Sequence, residues 1–325
     1  MAIKIFSDKI QIGNFNLFEG NGGVQFDGQA RADNFTDIVG EGSGVIRGST
    51  SGYAAGGTPT QTAVDKWPFA SATNATNVGQ LSIRRFGGAG ISSTVFGYVA
   101  GGNDTTGEIG TKIDRFTFAS DTFGSLVGDL RSNARESAGH VSPTQGFVSG
   151  GTPSQSSIQK FFLASEIDTK ESGTLFTSRY LHAGQSSSTH GYASGGNFEI
   201  NTIEKFSITS DGNGADVGDL TDARRNVTGQ SSSTHGYSSG GWSPGGVNTI
   251  DKFPFASDTN ATDVGDLTRE TFTPAGESST TQGFTSGGQY SPQNTIDKFP
   301  FASDTNATDH GDLVLAYRAA AGLQV

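Results

Sequence analysis

Apolar, small and polar positions recur along most of the chain in one fixed order. Six segments end in the pattern Gly-[Tyr/Phe]-x-x-Gly-Gly, at 52–57, 97–102, 146–151, 191–196, 236–241 and 283–288. The last Gly of each recurs at intervals of 45, 49, 45, 45 and 47 residues. Each Gly pair leads to an aliphatic residue, then usually to an acidic, a basic and an aromatic one, most clearly in 202–206, 249–253 and 295–299. The run NTIDKFPFASDTNATD occurs identically at 248–263 and 294–309. From that aliphatic residue to the Leu closing the next run is 17 residues in all six copies, from Val64–Leu81 to Ile296–Leu313. From that Leu to a Gly (Gly90, Gly139, Gly184, Gly229, Gly276, Gly322) is 9 residues in all six. Only the stretch after the Gly pair varies, between 7 and 11 residues up to the aliphatic position.

This order predicts four strands per unit. Strand A is small and polar, as in 184–188; strand B is the Gly-[Tyr/Phe] segment; strand C is of the type TIDKFPF; strand D ends in VGDL. Gly pairs after B and Ser-Asp-Thr-Asn between C and D supply the turn chemistry. Strand C carries apolar groups on both faces, Ile250 against Phe253 and Phe255, which suits a strand covered on both sides. Four strands every 45 or so residues predict an all-β, six-bladed propeller over residues 38–325. The C-terminus supplies one more strand A, since Gly322 stands at the strand-A spacing. Ring closure by residues 319–325 is the expectation, with residues 43–50 as the competing source of that strand; closure removes exposed sheet edges.

The Gly pair, the downstream aromatic and an Arg ahead of strand A resemble kelch repeats over roughly residues 40–325. Candidates for that Arg are Arg85, Arg135, Arg179, Arg225 and Arg318. The Trp usual in strand D of that family is missing, with residues such as Val217 and Val264 in its region. The resemblance implies a propeller and leaves function open, because function resides in sites and not in folds.

Residues 1–37 lack the repeat. They read as short strands with apolar positions at Ile3, Ile5, Ile10, Ile12, Phe15 and Leu17, and a turn at 19–23. So short a segment rarely buries enough surface to fold alone. It is expected to pack on the propeller, on copies of itself or on a larger assembly. Its style is similar to the N-termini of virion structural proteins of marine bacteriophages, particularly those of cyanobacteria. That resemblance implies a virion location and other virion proteins as partners of residues 1–37.

Composition narrows the function classes. The chain has 325 residues, 48 Gly, 23 Phe and no Cys, with a net charge of −11. Without Cys there is no disulfide, no Cys-ligated zinc and no Cys nucleophile. Without a Lys/Arg cluster on an acidic chain, nucleic acid is not an expected partner. No run of 18 apolar residues and no signal-peptide pattern is present, so membrane insertion and secretion are not expected. The five His have no metal or catalytic spacing, and no HExxH, G-x-S-x-G or P-loop occurs. No cofactor, metal or enzymatic activity is expected. The Asn-Ala-Thr sequons at Asn74, Asn260 and Asn306 read as turns, as does the calcium-loop-like 211–216. The basic residues of strand C (Lys66, Arg115, Lys160, Lys205, Lys252, Lys298) read as paired charges between neighbouring strands or blades.

In a propeller the B–C and D–A loops share one face, and here all length variation is on it. Three consecutive B–C loops carry Phe198, Trp242 and Tyr290, and the longest, 103–112, adds Asp104 and Glu108. Aromatic faces beside polar groups suit sugar rings, so these five are the candidate ligand-binding residues, with host cell-surface glycans as the possible ligand. The alternative is that each aromatic folds back over its own blade. The functional expectation is a non-enzymatic bacteriophage virion structural protein of fibre or decoration type, its propeller an interaction or host-binding module. The alternative is a free glycan-binding propeller.

Overall fold

The computed structural model describes residues 3–5, 9–12, 15–19, 48–59, 61–103, 110–120, 123–163, 167–198, 200–289 and 293–325. The chain divides into two compact units, 1–42 and 43–325. In the first, strands Ile3–Ile5, Lys9–Ile12 and Phe15–Glu19 form an antiparallel meander. Its register sets Ile3 opposite Ile12 and Ile5 opposite Ile10.

The second unit is a propeller of six sheets, each with strands A, B, C and D in spatial order. Blades 2 to 6 take their strands consecutively; blade 4, for example, is Ala183–Ser186, His190–Ser194, Thr202–Ser207 and Ala215–Asp219. Blade 1 is composite. Its strand A is the C-terminal Ala321–Gln324, paired with Ser51–Ala55 in the register Gly322↔Ala54. This settles the origin of the closing strand, and the competing residue Gly48 instead bridges Ser279 of blade 6. Blade 2 gains a fifth strand the repeat does not foretell. Ile167–Asp168, from the C–D connection of blade 3, runs parallel to its outer strand Ser125–Asp129.

The Gly-[Tyr/Phe] signature has a packing cause. Gly191, Gly236 and Gly283 lie opposite Phe206, Phe253 and Phe299 on strand C, and a Cβ there would run into the ring. Gly therefore lets the strand-C aromatic lie across strand B. The next residue points to the following blade: Tyr192 stacks on Phe255 at 4.8 Å, and Tyr237 on Phe301 at 4.8 Å. Such aromatic pairs add about 0.5–1.5 kcal/mol each beyond the apolar area they bury. At the hub the glycines meet each other. A Cβ on Gly90, Gly139, Gly184, Gly229, Gly276 or Gly322 would collide with the carbonyl of the same glycine in the preceding blade. That close approach is why the strand-A glycine keeps its spacing in every copy.

Buried ion pairs join the blades. Arg85 at the end of one blade's strand D pairs with Asp114 on strand C of the next at 2.7 Å, Arg224 pairs with Asp251 at 3.0 Å, and Arg179 pairs with Glu204. This corrects the expected arginines at three places. The interior position falls on Ala134, Arg224 and Tyr317, one residue before Arg135, Arg225 and Arg318. The reason is the register of the linker. The interior residue is the fourth after the closing Leu, whereas a pattern read without that count accepts either of two neighbouring positions. Opposite Ala134 the acidic residue of strand C is replaced by Gln159, whose amide oxygen accepts the Arg131 and Ser132 N–H groups. At Ala134 cation and anion are lost together, whereas opposite Tyr317 the buried Asp65 remains and accepts the Val314 N–H at 2.9 Å and the Asn77 amide at 3.3 Å.

Three of the six strand-C cations form the expected pairs between blades, while Lys66 lies over the Tyr53 ring and Arg115 over the Phe96 ring. Lys205 pairs with Asp258 and Lys252 with Asp304 at 2.5 Å, and Lys160 with Asp211, each across to the C–D turn of the next blade. The sequon residues Asn74, Asn260 and Asn306 are turn residues that reach the preceding blade. Their Oδ1 atoms accept the N–H groups of Asp312, Asp219 and Asp266 at 3.1–3.2 Å. Segment 211–214 is likewise a C–D turn, with Gly212 donating to the Ser172 carbonyl.

Candidate functional site

The D–A linkers deliver six equivalent residues to the axis: Gly87, Glu136, Leu181, Asn226, Thr273 and Ala319. All six have left-handed backbone, φ between 53° and 65°, although five are not glycine. Such residues are costly, of order 1 kcal/mol or more each, unless the surroundings fix them. Here a ring of hydrogen bonds does so. Each N–H donates to the carbonyl of its counterpart in the preceding blade: Gly87 to Ala319, Glu136 to Gly87, Leu181 to Glu136, Asn226 to Leu181, Thr273 to Asn226 and Ala319 to Thr273, at 2.6–2.9 Å. The circuit closes on itself. Sequence reasoning missed it, because no side-chain type marks the position.

This ring frames the mouth of an axial cavity of about 140 Å³ on the B–C and D–A loop face. Its wall is mostly Gly and Ala, with Glu136, Ser137, His182, Asn226, Thr228 and Thr273 as the polar lining. Glu136 accepts the Thr152 hydroxyl at 3.0 Å and lies 3.5 Å from the Arg135 guanidinium. Past the glycine collar a second cavity of about 70 Å³ is lined by Ser92, Ser186, Ser231, Ser278 and Gln324. These side chains tie the blades together; for example, the Ser186 N–H donates to Ser231 Oγ at 3.0 Å and the Ser231 N–H to Ser278 Oγ at 2.9 Å.

Between blades the third residue of strand A is buried in every copy: Ile91, His140, Gln185, Gln230, Glu277 and Leu323. Its partner on strand B matches it. Gln185 donates to Ser194 Oγ and to the Tyr237 carbonyl, and Gln230 to Ser239 Oγ and the Phe284 carbonyl, all at 2.9–3.0 Å. Beside Ile91 and Leu323 the strand-B residue is Ala100 or Ala55. In blade 3, Ser149 bridges His140 Nε2 at 2.7 Å and His182 Nε2 at 3.0 Å, while His140 Nδ1 meets the Gln185 carbonyl at 3.1 Å. Burial lowers the pKa of both imidazoles, that of His140 to about 4. Both therefore stay neutral: His140 Nδ1–H donates to Gln185, Ser149 donates to His140 and His182 donates to Ser149. In blade 6, Glu277 accepts the Ser286 hydroxyl at 3.0 Å, and burial raises its pKa well above the usual carboxylate range. Among the described residues no three His, Asp or Glu side chains gather as metal ligands.

Of the five sequence-predicted site residues, Phe198 stands clear of the protein, 80% exposed, in the B–C loop of blade 4 with φ 62°. Its neighbour Asn197 anchors the loop, accepting the Tyr180 N–H on Oδ1 at 2.8 Å. Trp242 is half-buried and meets Phe272 of its own blade edge-on at 5.0 Å. Tyr290, Asp104 and Glu108 lie outside the described residues. Other large apolar side chains in the open include Phe123, Phe162 and Phe176. Phe176 shares the loop face with Phe198, at the start of the blade 3 linker, where its N–H donates to Glu204 at 2.6 Å. No known family model matches the chain and no curated protein matches it, so the kelch-like and phage-like resemblances rest on the sequence motifs alone. Among the described residues, no helix is long and apolar enough to cross a membrane.

Proposed function

We propose that the chain is a non-enzymatic virion structural protein of the fibre or decoration type, with residues 1–37 attaching to other virion proteins and the loop face of the propeller meeting a host surface. A propeller suits an interaction module, since it carries variable loops on a rigid frame. The observation that carries this reading is the confinement of variation to one face. The blade-to-blade bonds recur around the ring, while the B–C loops differ in length and chemistry and present Phe198 at 80% exposure in a left-handed conformation. A large exposed aromatic held there contributes nothing to the core, and strained backbone clusters at binding sites. The virion part of the reading rests on the N-terminal resemblance and the near-identical repeats.

Two measurements test it. Phe198→Ala should leave the melting temperature within about 2 °C, as expected for a surface change, and should abolish attachment to host cells. Unaltered attachment overturns the loop-face assignment. Mass spectrometry of purified particles should find the chain in stoichiometric copies. Glycan binding with no particle association would instead make it a free lectin.

A further inference from the structure

Immediately before each of the six left-handed linker residues stands a position that the repeat does not dictate. In order round the ring it holds Phe86, Arg135, Tyr180, Arg225, Phe272 and Arg318. Aromatic and arginine alternate without exception. All six are half-buried, neither sealed in the core nor loose in solvent. The backbone holds them at equivalent stations, each paired with the residue after the Gly pair of the next blade: Phe86 with Asn103, Arg225 with Trp242, Phe272 with Gln289 and Arg318 with Thr58. Tyr180 pairs with Asn197 and Arg135 with Thr152 in the same way. None of the six lines the axial cavity itself; each stands one residue before a lining residue (Gly87, Glu136, Leu181, Asn226, Thr273 or Ala319), so the stations form an outer ring about its mouth on the loop face.

Their charges are not spent on the fold. Arg85, Arg179 and Arg224 in the interior are committed to carboxylates. By contrast, the side chains of Arg225 and Arg318 have no ion-pair or hydrogen-bond partner among the described residues, and that of Arg135 has only the 3.5 Å approach of Glu136. The exposed acids of these linkers, Asp222 and Glu270, stand nearer strand D than the ring does. On a chain of net charge −11, three cations spaced evenly round one opening form a local attraction for anions.

Building on the loop-face reading, we infer that this ring recognises an acidic saccharide, a pyranose chain bearing carboxylate or sulfate groups. The planar arginine fork matches both anions. The aromatic stations between the arginines supply flat faces for the apolar side of a sugar ring. A saccharide presents ring faces and anions in alternation, as the stations do. An acidic peptide offers the anions and leaves the three aromatics unused. The axial cavity, walled by Gly and Ala, gives room for a ring substituent at the centre.

The test is calorimetric titration of the full chain with four probes: a heparin-derived hexasaccharide, hexagalacturonate, neutral maltohexaose and hexaglutamate. One or both acidic saccharides should bind, more weakly as salt rises, and the other two should not. Arg225→Gln with Arg318→Gln should weaken that binding by about ten-fold or more, a loss of about 1.4 kcal/mol. Tyr180→Ala should weaken it several-fold. The melting temperature of the double arginine variant should be unchanged, because neither side chain has a partner to lose. Failure of both acidic saccharides to bind, or binding unchanged by the arginine variant, overturns the inference. Hexaglutamate binding as tightly as the saccharides would assign the ring to an acidic peptide instead. If the saccharides fail while Phe198→Ala still abolishes host attachment, only this inference falls and the loop-face function stands.

Discussion

Glu277 and His140 occupy the same hub position in different blades, where blades 4 and 5 carry Gln185 and Gln230. The two titratable residues push stability in opposite directions with pH. Glu277 has a raised pKa in the folded state, so the fold holds its proton longer than the unfolded chain does. Stability is full below the unfolded value of roughly 4.3 and is lost as pH rises toward the folded value. Glu277→Gln should therefore raise the melting temperature at pH 7–8 and flatten the alkaline side of the stability curve. His140 has a folded pKa of about 4 against an ordinary 6.5, so the unfolded chain takes up the proton first. Its contribution is present above roughly pH 6.5 and falls away toward pH 4, by about 3 kcal/mol in total. His140→Gln, which copies the Gln185–Ser194 arrangement, should remove much of that acid loss. Denaturant titrations at pH 5 and 7 measure both effects. An unchanged pH dependence in either variant would mean that the corresponding group is not buried as described.

Between neighbouring blades the controlling element is the buried arginine with the acid it faces. Arg179→Met alone strands Glu204 at 0% side-chain exposure, and should destabilise by about 3–5 kcal/mol. Adding Glu204→Gln should recover most of that, because the protein itself places Gln159 opposite Ala134. A double-mutant cycle in urea measures the coupling, and additive effects would show that the pair does not interact. Glycine substitutions separate the hub from the rim. Gly139→Ala puts a Cβ against the Gly90 carbonyl and should cost about 1–3 kcal/mol or more, on the scale of core overpacking. Gly212→Ala, in a C–D turn with nothing within 4 Å of the added carbon, should be nearly neutral. These elements were unequally legible in the sequence. The strand-A glycine and the Gly-[Tyr/Phe] step announce themselves because a steric limit admits one residue type. The interior arginine reads one residue off in three blades because Ala134 and Tyr317 break its pattern and an arginine follows at 135, 225 and 318. The left-handed ring left no trace, since Glu136, Leu181, Thr273 and Ala319 share only a backbone conformation. Phe198 stands out in the sequence as an aromatic in a B–C loop, on the face to which length variation is confined, although its own loop has the commonest length. The Arg–aromatic alternation requires knowing which linker residues stand at the same station.

At the scale of the molecule, the loop face is only as well defined as the ring that carries it, and the ring depends on its last strand. Ala321–Gln324 pairs with Ser51–Ala55, and Ala319 links Thr273 to Gly87 in the axial circuit. Removing residues 318–325 breaks both. It should lower the melting temperature by well over 10 °C, because one blade loses its inner strand and two hub contacts; a truncated protein that melts like the full chain would contradict this. The most direct measurement leaves the chain intact. Residue-resolved hydrogen exchange can follow the six axial amides of Gly87, Glu136, Leu181, Asn226, Thr273 and Ala319, each bonded to its counterpart in the preceding blade. In a closed ring these amides are equivalent, so all six should exchange together and only through global unfolding. Exchange at Gly87 and Ala319 orders of magnitude faster than at Leu181 and Asn226 would show the ring open between its last and first blades, and would contradict the closed frame on which the binding face is built.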